Sequence, residues 1–148
     1  MSTEKTVSTL NSLIQVTLDS MKGYQDAAKD AESTQFATMF AEFARDRSAA
    51  ATELQAEVRR LGGDPESDSS FLAAAHRTFM DLKQAITGKD DKAIIQEVER
   101  GEDHIKAKYE DALGHADLDP ASRQVVERAF HSVREGHDKM SQLKHSLA

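Results

Sequence analysis

Apolar residues recur at alternating spacings of three and four along four long stretches of the chain, and this periodicity is the strongest constraint on its fold. Such spacing puts the apolar side chains on one face of an α-helix, which must be buried against other helices. In the first two stretches the stripe comprises Val7, Leu10, Ile14, Thr17, Met21, Tyr24 and Ala28, then Phe36, Phe40, Phe43, Arg47, Ala50, Leu54 and Leu61. In the last two it comprises Ile95, Val98, Glu102, Ile105, Tyr109 and Ala112, then Val126, Phe130, Val133, His137, Met140 and Leu147. The pattern predicts an all-α protein.

Turn and capping residues set the ends of the predicted helices. Gly62 and Pro65 in LGGDP end the second helix, because glycine adopts the left-handed cap conformation and proline cannot continue a helix. Asp119 is expected to cap the fourth helix, with Pro120 as its first residue. The predicted helices span about residues 3–31, 33–61, 71–87, 90–113 and 120–146 of one domain that covers residues 1–148.

The links between these helices predict how they are arranged. The links within the first pair and within the last pair are short, so each pair is expected to form an antiparallel hairpin. The helix at 71–87 would be about 25 Å long at ~1.5 Å per residue, enough to cross from one end of a bundle to the other. We therefore predict a ferritin-like four-helix bundle, in which two antiparallel hairpins are joined by a long crossover containing a short helix.

The composition excludes several classes of function. A formal charge of −7 argues against nucleic-acid binding, because neutralising phosphates requires a basic surface. No stretch approaches the ~20 apolar residues that cross a bilayer, and MSTEKTVSTL lacks the basic and apolar segments of a signal peptide. The sequence has no Cys, no phosphate-binding glycine loop and no Gly-x-Ser-x-Gly elbow. We expect a cytoplasmic protein without nucleic-acid or membrane partners.

Polar residues interrupt the apolar stripe near the middle of each long helix. These residues are Thr17, Arg47, Glu102 and His137, and the predicted packing brings them to one central layer. Gly101, next to Glu102, predicts a close helix approach or a kink. A lone buried carboxylate costs several kcal/mol, so Glu102 must have a partner.

Two arrangements would satisfy Glu102. In the first, a buried polar network of Thr17, Arg47, Glu102 and His137 fixes the helix register. In the second, iron or manganese is bound by carboxylate and imidazole ligands, for which the candidates are Glu53, Glu99, Glu102, His137 and the adjacent Asp138. A di-iron bundle usually supplies two Glu-x-x-His pairs, and none occurs in this sequence. The residues favour the network and leave the metal site as the alternative.

Several segments in a fixed order carry a resemblance to a known family. LNSLIQVTLDSMKGYQDAA, AAATELQAEVRRLGGDP, HRTFMDLKQAITG, EVERGEDHIKAKYEDAL and HDKMSQL together resemble a bacterial ferritin-like family of small four-helix-bundle proteins of unknown function, over nearly the whole chain. Phe79 departs from the family's expected Trp. The resemblance implies a ferritin-like bundle, and broader relatives include di-iron oxidases, ferritins and stress-induced proteins. Carrying metal ligands over from them fails on the first helix, which has Thr17 or Asp19 where a Glu is needed.

These observations give two hypotheses for function. The first is a non-enzymatic structural or stress-associated bundle that needs no cofactor. The alternative is a ferritin-like metal-binding protein, with a di-iron or di-manganese carboxylate site and oxidase or metal-handling activity. Either form is compatible with a monomer or with a homodimer that shares some of Phe36, Phe40, Phe71 and Phe79.

Overall fold

Four long helices make up most of residues 3–67, 91–115 and 118–147, the parts of the chain described by the computed structural model. They are α1 (Thr3–Asp30), α2 (Thr34–Arg60), α3 (Asp91–His115) and α4 (Pro120–Leu147). Each end lies within two residues of its predicted position, and these ranges contain no β-strand. The predicted helix at 71–87 lies outside the described residues, together with Phe71 and Phe79. No helix within the described ranges is sufficiently long and apolar to span a membrane.

The LGGDP segment ends α2 as its sequence predicts. Gly62 has a φ of +84°, a left-handed conformation that costs glycine little. The Gly62 N–H donates to Arg59 O at 2.9 Å and the Gly63 N–H to Val58 O at 3.0 Å, which is the Schellman pattern. A Cβ on Gly63 would lie 2.9 Å from Val7 Cγ1, so this glycine also lets the turn approach the start of α1.

Two aspartates organise the starts of α3 and α4. The Asp91 carboxylate accepts the backbone N–H groups of Glu32 and Ser33 at 2.7 and 2.9 Å, which ties the start of α3 to the α1–α2 turn. Asp119 caps α4 by accepting the Ala121 N–H at 3.1 Å. The start of α3 therefore lies beside the α1–α2 turn, at the opposite end of the bundle from the end of α2.

The helices are arranged as two antiparallel hairpins, α1–α2 and α3–α4. In the bundle α1 lies beside α2 and α3, while α4 lies beside α2 and α3. Thus α2 and α3 face each other across a diagonal. This order, with one long connection between two hairpins, is the ferritin-like connectivity expected from the sequence.

The apolar core is divided into two clusters along the bundle axis. The first cluster lies toward Gly62 and the second toward Ser33. Large buried members of the first include Leu10, Ile14, Leu54, Val58, Ile105, Val126 and Val133, and those of the second include Tyr24, Phe40, Ile94, Ile95 and Met140. Phe40 is fully buried within the chain, so it is not available to the surface of a homodimer, whereas Phe36 is half-buried. Polar side chains fill the space between the clusters.

Candidate functional site

A buried ion pair lies at mid-height between the two apolar clusters. Arg47 on α2 is fully buried, and its Nη2 donates to Oε2 of Glu102 on α3 at 2.6 Å, where Glu102 is 2% exposed. The pair therefore crosses the interior along the diagonal between α2 and α3. We call this region the polar layer, comprising Thr17, Ser20, Tyr24, Arg47, Glu102, Tyr109 and Gly136.

The remaining contacts of the Arg47 guanidinium come from α1. Its Nη1 donates to Ser20 Oγ at 3.0 Å, and its Cζ lies 5.4 Å from the centroid of the Tyr24 ring, within cation–π range. The buried Nε of Arg47 has no hydrogen-bond partner among the described residues. The guanidinium thus joins α2 to both α1 and α3, which gives it a role in fixing their relative positions.

Burial and pairing act in opposite directions on the two charges. Burial is the main influence on Glu102 and raises its pKa above the ordinary value of 4.5, although Arg47 and the nearby Tyr24 hydroxyl partly offset this rise. Burial is also the largest single influence on Arg47 and disfavours its charge, but the Glu102 carboxylate, together with Tyr24 and Tyr109, outweighs burial and the pKa of Arg47 is raised. A guanidinium keeps its proton in proteins. We therefore describe the contact as an ion pair whose attraction offsets a large desolvation cost.

Thr17 belongs to the same layer but does not contact Glu102 directly. Its hydroxyl donates to Leu13 O at 2.6 Å and shares a hydrogen bond of 2.7 Å with the Tyr109 hydroxyl. Burial raises the pKa of Tyr109 to about 12, so the phenol remains protonated at neutral pH. The two tyrosines follow Thr17 and Glu102 at equal distances in sequence, and antiparallel packing places Tyr24 near Glu102 and Tyr109 near Thr17.

Gly136, rather than His137, occupies the inward position of α4. A Cβ on Gly136 would overlap Nη2 of Arg47 and would lie 2.8 Å from Oε2 of Glu102. The buried positions of α4 are Ser122, Val126, Ala129, Val133, Gly136 and Met140. The predicted stripe included Phe130 and His137 instead, because larger residues were assigned to the core. At position 136 only glycine fits, since the Arg47–Glu102 ion pair fills the space opposite α4.

His137 lies on the flank of the polar layer and forms its hydrogen bonds outside it. Its side chain is 14% exposed, with Nε2 at 2.7 Å from Asp103 Oδ1 and Nδ1 at 3.3 Å from Asp138 Oδ1. The sequence suggested that His137 or a tyrosine would hydrogen-bond Glu102; His137 instead contacts two carboxylates on the outer side, and Tyr24 is the residue beside Glu102. His137 still lies close enough to lower the pKa of Glu102 slightly against the dominant effect of burial.

The structure does not bring the five predicted metal ligands together at one point. Glu53 lies on an outer face, 53% exposed, and its Oε2 is 3.9 Å from Arg128 Nε. Glu102 is held by Arg47, and Asp138 reaches His137 from a largely exposed position.

Glu99 and His137 come together with a residue that the sequence interpretation missed. Donor atoms of Glu99, Asp103 and His137 all lie within 4.8 Å of one another. Glu99 is buried and its Oε2 also accepts a hydrogen bond from Lys144 Nζ at 3.3 Å. The available signal for Asp103 was its position four residues after Glu99, which puts both carboxylates on one helix face.

The polar layer does not fit the dinuclear metal site associated with ferritin-like bundles. Such a site takes carboxylate ligands from all four helices. At this level α1 supplies Thr17, α2 supplies a buried cation in Arg47, and α4 supplies Gly136. Glu102 is the only carboxylate among these facing residues, and Arg47 already neutralises it.

Gly101 does not mark a close helix approach. A Cβ at this position would meet no atom within 4 Å, and α3 continues through it without interruption. The residue borders an open groove of about 160 Å³ between α1 and α3.

A second polar cluster lies near the Gly62 end of the bundle. Glu57 is 6% exposed and accepts hydrogen bonds from Arg60 at 2.7 and 2.5 Å and from Ser122 Oγ at 2.6 Å. Arg60 is half exposed and also lies 3.6 Å from Asp119 Oδ2. The hydrogen bonds from Arg60 are the main reason that the pKa of Glu57 is lowered from 4.5.

Comparisons with known proteins identify a family and a fold. The family model described as "Domain of unknown function (DUF2383)" matches residues 5–115. A two-domain protein from Anabaena variabilis, with DJ-1/ThiJ/PfpI-like and ferritin-like domains, has a TM-score of 0.80 at 15% identity. The match covers 100% of this chain and 41% of that one, so this chain spans about two fifths of that protein.

A second similar structure is a dodecameric thioferritin, the bacterioferritin-related protein of Bacteroides fragilis. It has a TM-score of 0.78 at 12% identity, and the match covers 99% of this chain and 88% of that one. No protein with curated annotation matches the sequence. At these identities the similarity establishes the ferritin-like fold alone.

Proposed function

We propose, for a chain that belongs to the DUF2383 family and has a ferritin-like fold, a non-enzymatic structural role as a helical bundle held together by its own buried ion pair. In this proposal the Arg47 guanidinium takes the central place that metal ions occupy in metal-binding bundles of this fold. The bundle then presents its outer helix faces to partners, and its stability does not depend on a cofactor.

The observation that carries this proposal is the full burial of Arg47 against Glu102. The guanidinium contacts α1, α3 and the space left by Gly136 on α4, so it links both hairpins at one point. A buried ion pair adds little net stability compared with apolar residues, but losing one partner leaves the other charge buried and unpaired. Such a pair is therefore best suited to specifying one packing arrangement, as polar residues in helical cores do elsewhere.

A double-mutant cycle tests the role of the ion pair. Arg47→Met and Glu102→Gln should each reduce the free energy of unfolding by about 3–5 kcal/mol, because each leaves a buried polar group without its partner. The double variant should lose less than either single variant, which corresponds to a strong favourable coupling. The measurement is urea unfolding followed by far-UV circular dichroism.

A matched surface pair provides the control for this cycle. Arg100 and Glu97 form an ion pair of 3.3 Å on the outer side of α3, with Arg100 76% exposed. The cycle of Arg100→Met and Glu97→Gln should show coupling within experimental error, because solvent screens the pair. Additive losses in the Arg47–Glu102 cycle would refute the structural role proposed for the central pair.

Metal handling is the second candidate function, and a specific observation favours it. Glu99, Asp103 and His137 bring three donor atoms together, and one protein of similar fold is a thioferritin. An oxidase with two bridged metal ions is less well supported, because Arg47 occupies the centre of the layer where the second ion would need ligands. The number of metal ions bound per chain tests this candidate: two ions would indicate a bridged site, and one ion the cluster of Glu99, Asp103 and His137.

The proposal also covers the oligomeric state, the physiological role and the location of the protein. A homodimer, a stress-associated role and a cytoplasmic location are compatible with the bundle, and the dodecameric state of the thioferritin shows that this fold supports assemblies. Light scattering coupled to size-exclusion chromatography measures the number of chains in the assembly directly. Of Phe36 and Phe40, the two described residues among those predicted to share such a contact, only Phe36 is partly exposed.

A further inference from the structure

Three donor groups, two carboxylates and one imidazole, meet on the outer side of the α3–α4 hairpin. The carboxylates of Glu99 and Asp103 and the imidazole of His137 lie within 4.8 Å of one another. Glu99 is buried, His137 is 14% exposed and Asp103 is 58% exposed, so the group opens to solvent on one side. Two of these residues are one helical turn apart on α3, and the third comes from the antiparallel α4, so the backbone holds the group in place.

Hydrogen-bond donors already contact these carboxylates. The hydrogen bond of 2.7 Å between His137 Nε2 and Asp103 Oδ1 requires a proton between them, and the Lys144 ammonium lies 3.3 Å from Glu99 Oε2. The two carboxylates are thus contacted by one imidazole N–H and one ammonium. A divalent cation would neutralise both carboxylates by replacing these contacts: the Nε2 proton moves to Nδ1 or to solvent, and the Lys144 side chain, 45% exposed, turns outward.

The imidazole is oriented as metal-binding histidines usually are. Its Nδ1 lies 3.3 Å from the Asp138 carboxylate, while its Nε2 lies 2.7 Å from Asp103 Oδ1. Metal-bound histidines commonly donate their second ring N–H to a carboxylate, which fixes the ring and increases its basicity. Asp138, predicted from the sequence as a ligand, is placed to act in this supporting role.

We propose that Glu99, Asp103 and His137 form a mononuclear site for a divalent first-row transition-metal ion such as Zn²⁺, Mn²⁺ or Fe²⁺. One imidazole nitrogen and two carboxylate oxygens suit these ions. Bonds of about 2.0–2.2 Å in tetrahedral geometry place donors about 3.3–3.6 Å apart. His137 Nε2 and Asp103 Oδ1, now 2.7 Å apart, would therefore separate slightly, while the other donors, all within 4.8 Å, would move closer together. Water completes the coordination on the exposed side. The site lies beside the Arg47–Glu102 pair and does not depend on the structural role proposed for it.

Cobalt binding tests the site in the full-length protein. Co²⁺ added to metal-free protein should produce a visible absorption band that saturates at one ion per chain and is removed by Zn²⁺. His137→Gln should weaken binding by about 100-fold or more, since even groups that support ligands typically contribute about 10–100-fold. The exposed Asp103→Asn should weaken it by about tenfold or more without loss of folding, and circular dichroism verifies the fold of each variant.

Two further variants distinguish this site from general surface binding. Lys144→Gln removes the competing ammonium and should tighten Co²⁺ binding by about fivefold. His131→Gln is the matched control, because His131 also pairs with a carboxylate, Glu135 at 3.1 Å, but on an open surface. It should leave Co²⁺ binding unchanged.

The outcomes that would overturn the site are clear. Undetectable Co²⁺ and Zn²⁺ binding by the folded protein, or equal binding by wild type and Asp103→Asn, would exclude it. Binding of two ions per chain that persists in Asp103→Asn would also exclude it and would favour a different, dinuclear site. None of these results depends on the coupling between Arg47 and Glu102, so failure of one proposal leaves the other open to its own test.

Discussion

The polar layer and the Gly62 end of the bundle each contain an arginine–glutamate pair, but the two pairs have different surroundings. The contact distances are 2.6 Å for Arg47–Glu102 and 2.5 Å for Arg60–Glu57. Arg47 is fully buried and reaches across the bundle, whereas Arg60 is 51% exposed and binds a residue one turn earlier in its own helix. Burial raises the pKa of Glu102, while hydrogen bonds from Arg60 lower the pKa of Glu57.

This difference shows that the distance between the charged atoms of an ion pair does not determine how much the fold depends on that pair. At the Gly62 end, solvent screens the arginine and can replace it when it is lost. In the polar layer no solvent is available, so either charge without its partner remains buried at a large cost. The central pair therefore makes the bundle sensitive to its geometry, whereas the end pair adds a modest local interaction.

After the changes to Arg47 and Glu102 themselves, the largest effect that would test this contrast is expected from Gly136→Ala. The added Cβ would overlap Arg47 Nη2 and crowd Glu102, so the pair must separate or α4 must move outward. We expect the free energy of unfolding to fall by about 3 kcal/mol, despite the better helix propensity of alanine. Urea unfolding measures the loss, and a stability equal to that of the wild type would show that the polar layer is not tightly packed.

Gly101→Ala is the matched control for that substitution. Gly101 lies on α3 beside Glu102, but a Cβ there would meet open space. This variant should be more stable than the wild type by about 1 kcal/mol, because alanine favours a helix over glycine. If Gly136→Ala lowers the free energy of unfolding and Gly101→Ala raises it, the effect of Gly136→Ala is due to its position and not to the loss of a glycine.

A smaller effect is expected from disrupting the pair at the Gly62 end. Glu57→Gln and Arg60→Met should each destabilise the protein much less than the changes at Glu102 and Arg47. The cycle of the two should show weak coupling, because Arg60 is exposed and Ser122 Oγ still has an acceptor at position 57. Coupling as strong as in the polar layer would remove the distinction between the two regions.

The smallest effect concerns the pH dependence of Glu57. Its pKa is lowered in the folded protein, so the carboxylate stabilises the fold at pH values above its ordinary pKa of 4.5. That contribution is lost as the pH falls through the lowered folded-state pKa. The stability difference between wild type and Glu57→Gln should therefore decrease on acidification below about pH 4.5. Urea midpoints measured across this range check the trend, and a difference that grows on acidification would contradict it.

The helices could be predicted from the sequence because their signals are local. Spacings of three and four define each buried face, and Gly62 and Asp119 form the predicted caps. The ends of the four described helices consequently lie within two residues of those predicted. Polar residues on an apolar stripe also indicated a buried layer, since a charge inside a helical bundle requires a partner.

The composition of the polar layer was less accessible from the sequence. Glycine carries no hydrophobic signal, so the periodic pattern assigned His137 to the interior where the structure has Gly136. A difference of one residue rotates the side chain by about 100° on a helix and moves it from the core to the flank. Asp103 was missed for another reason: its proximity to His137 depends on how α3 and α4 pack against each other, which the sequence pattern of one helix does not contain.

The sequence by itself determined that this chain forms long amphipathic helices in two hairpins, because periodicity and capping act between residues close in the chain. Only the tertiary structure decided which polar groups meet. Arg47 and Glu102 pair across the diagonal because Gly136 leaves room for them, while His137 turns toward Asp103. These choices depend on the volume available between helices and on the exclusion of water, both of which arise only when all four helices pack together.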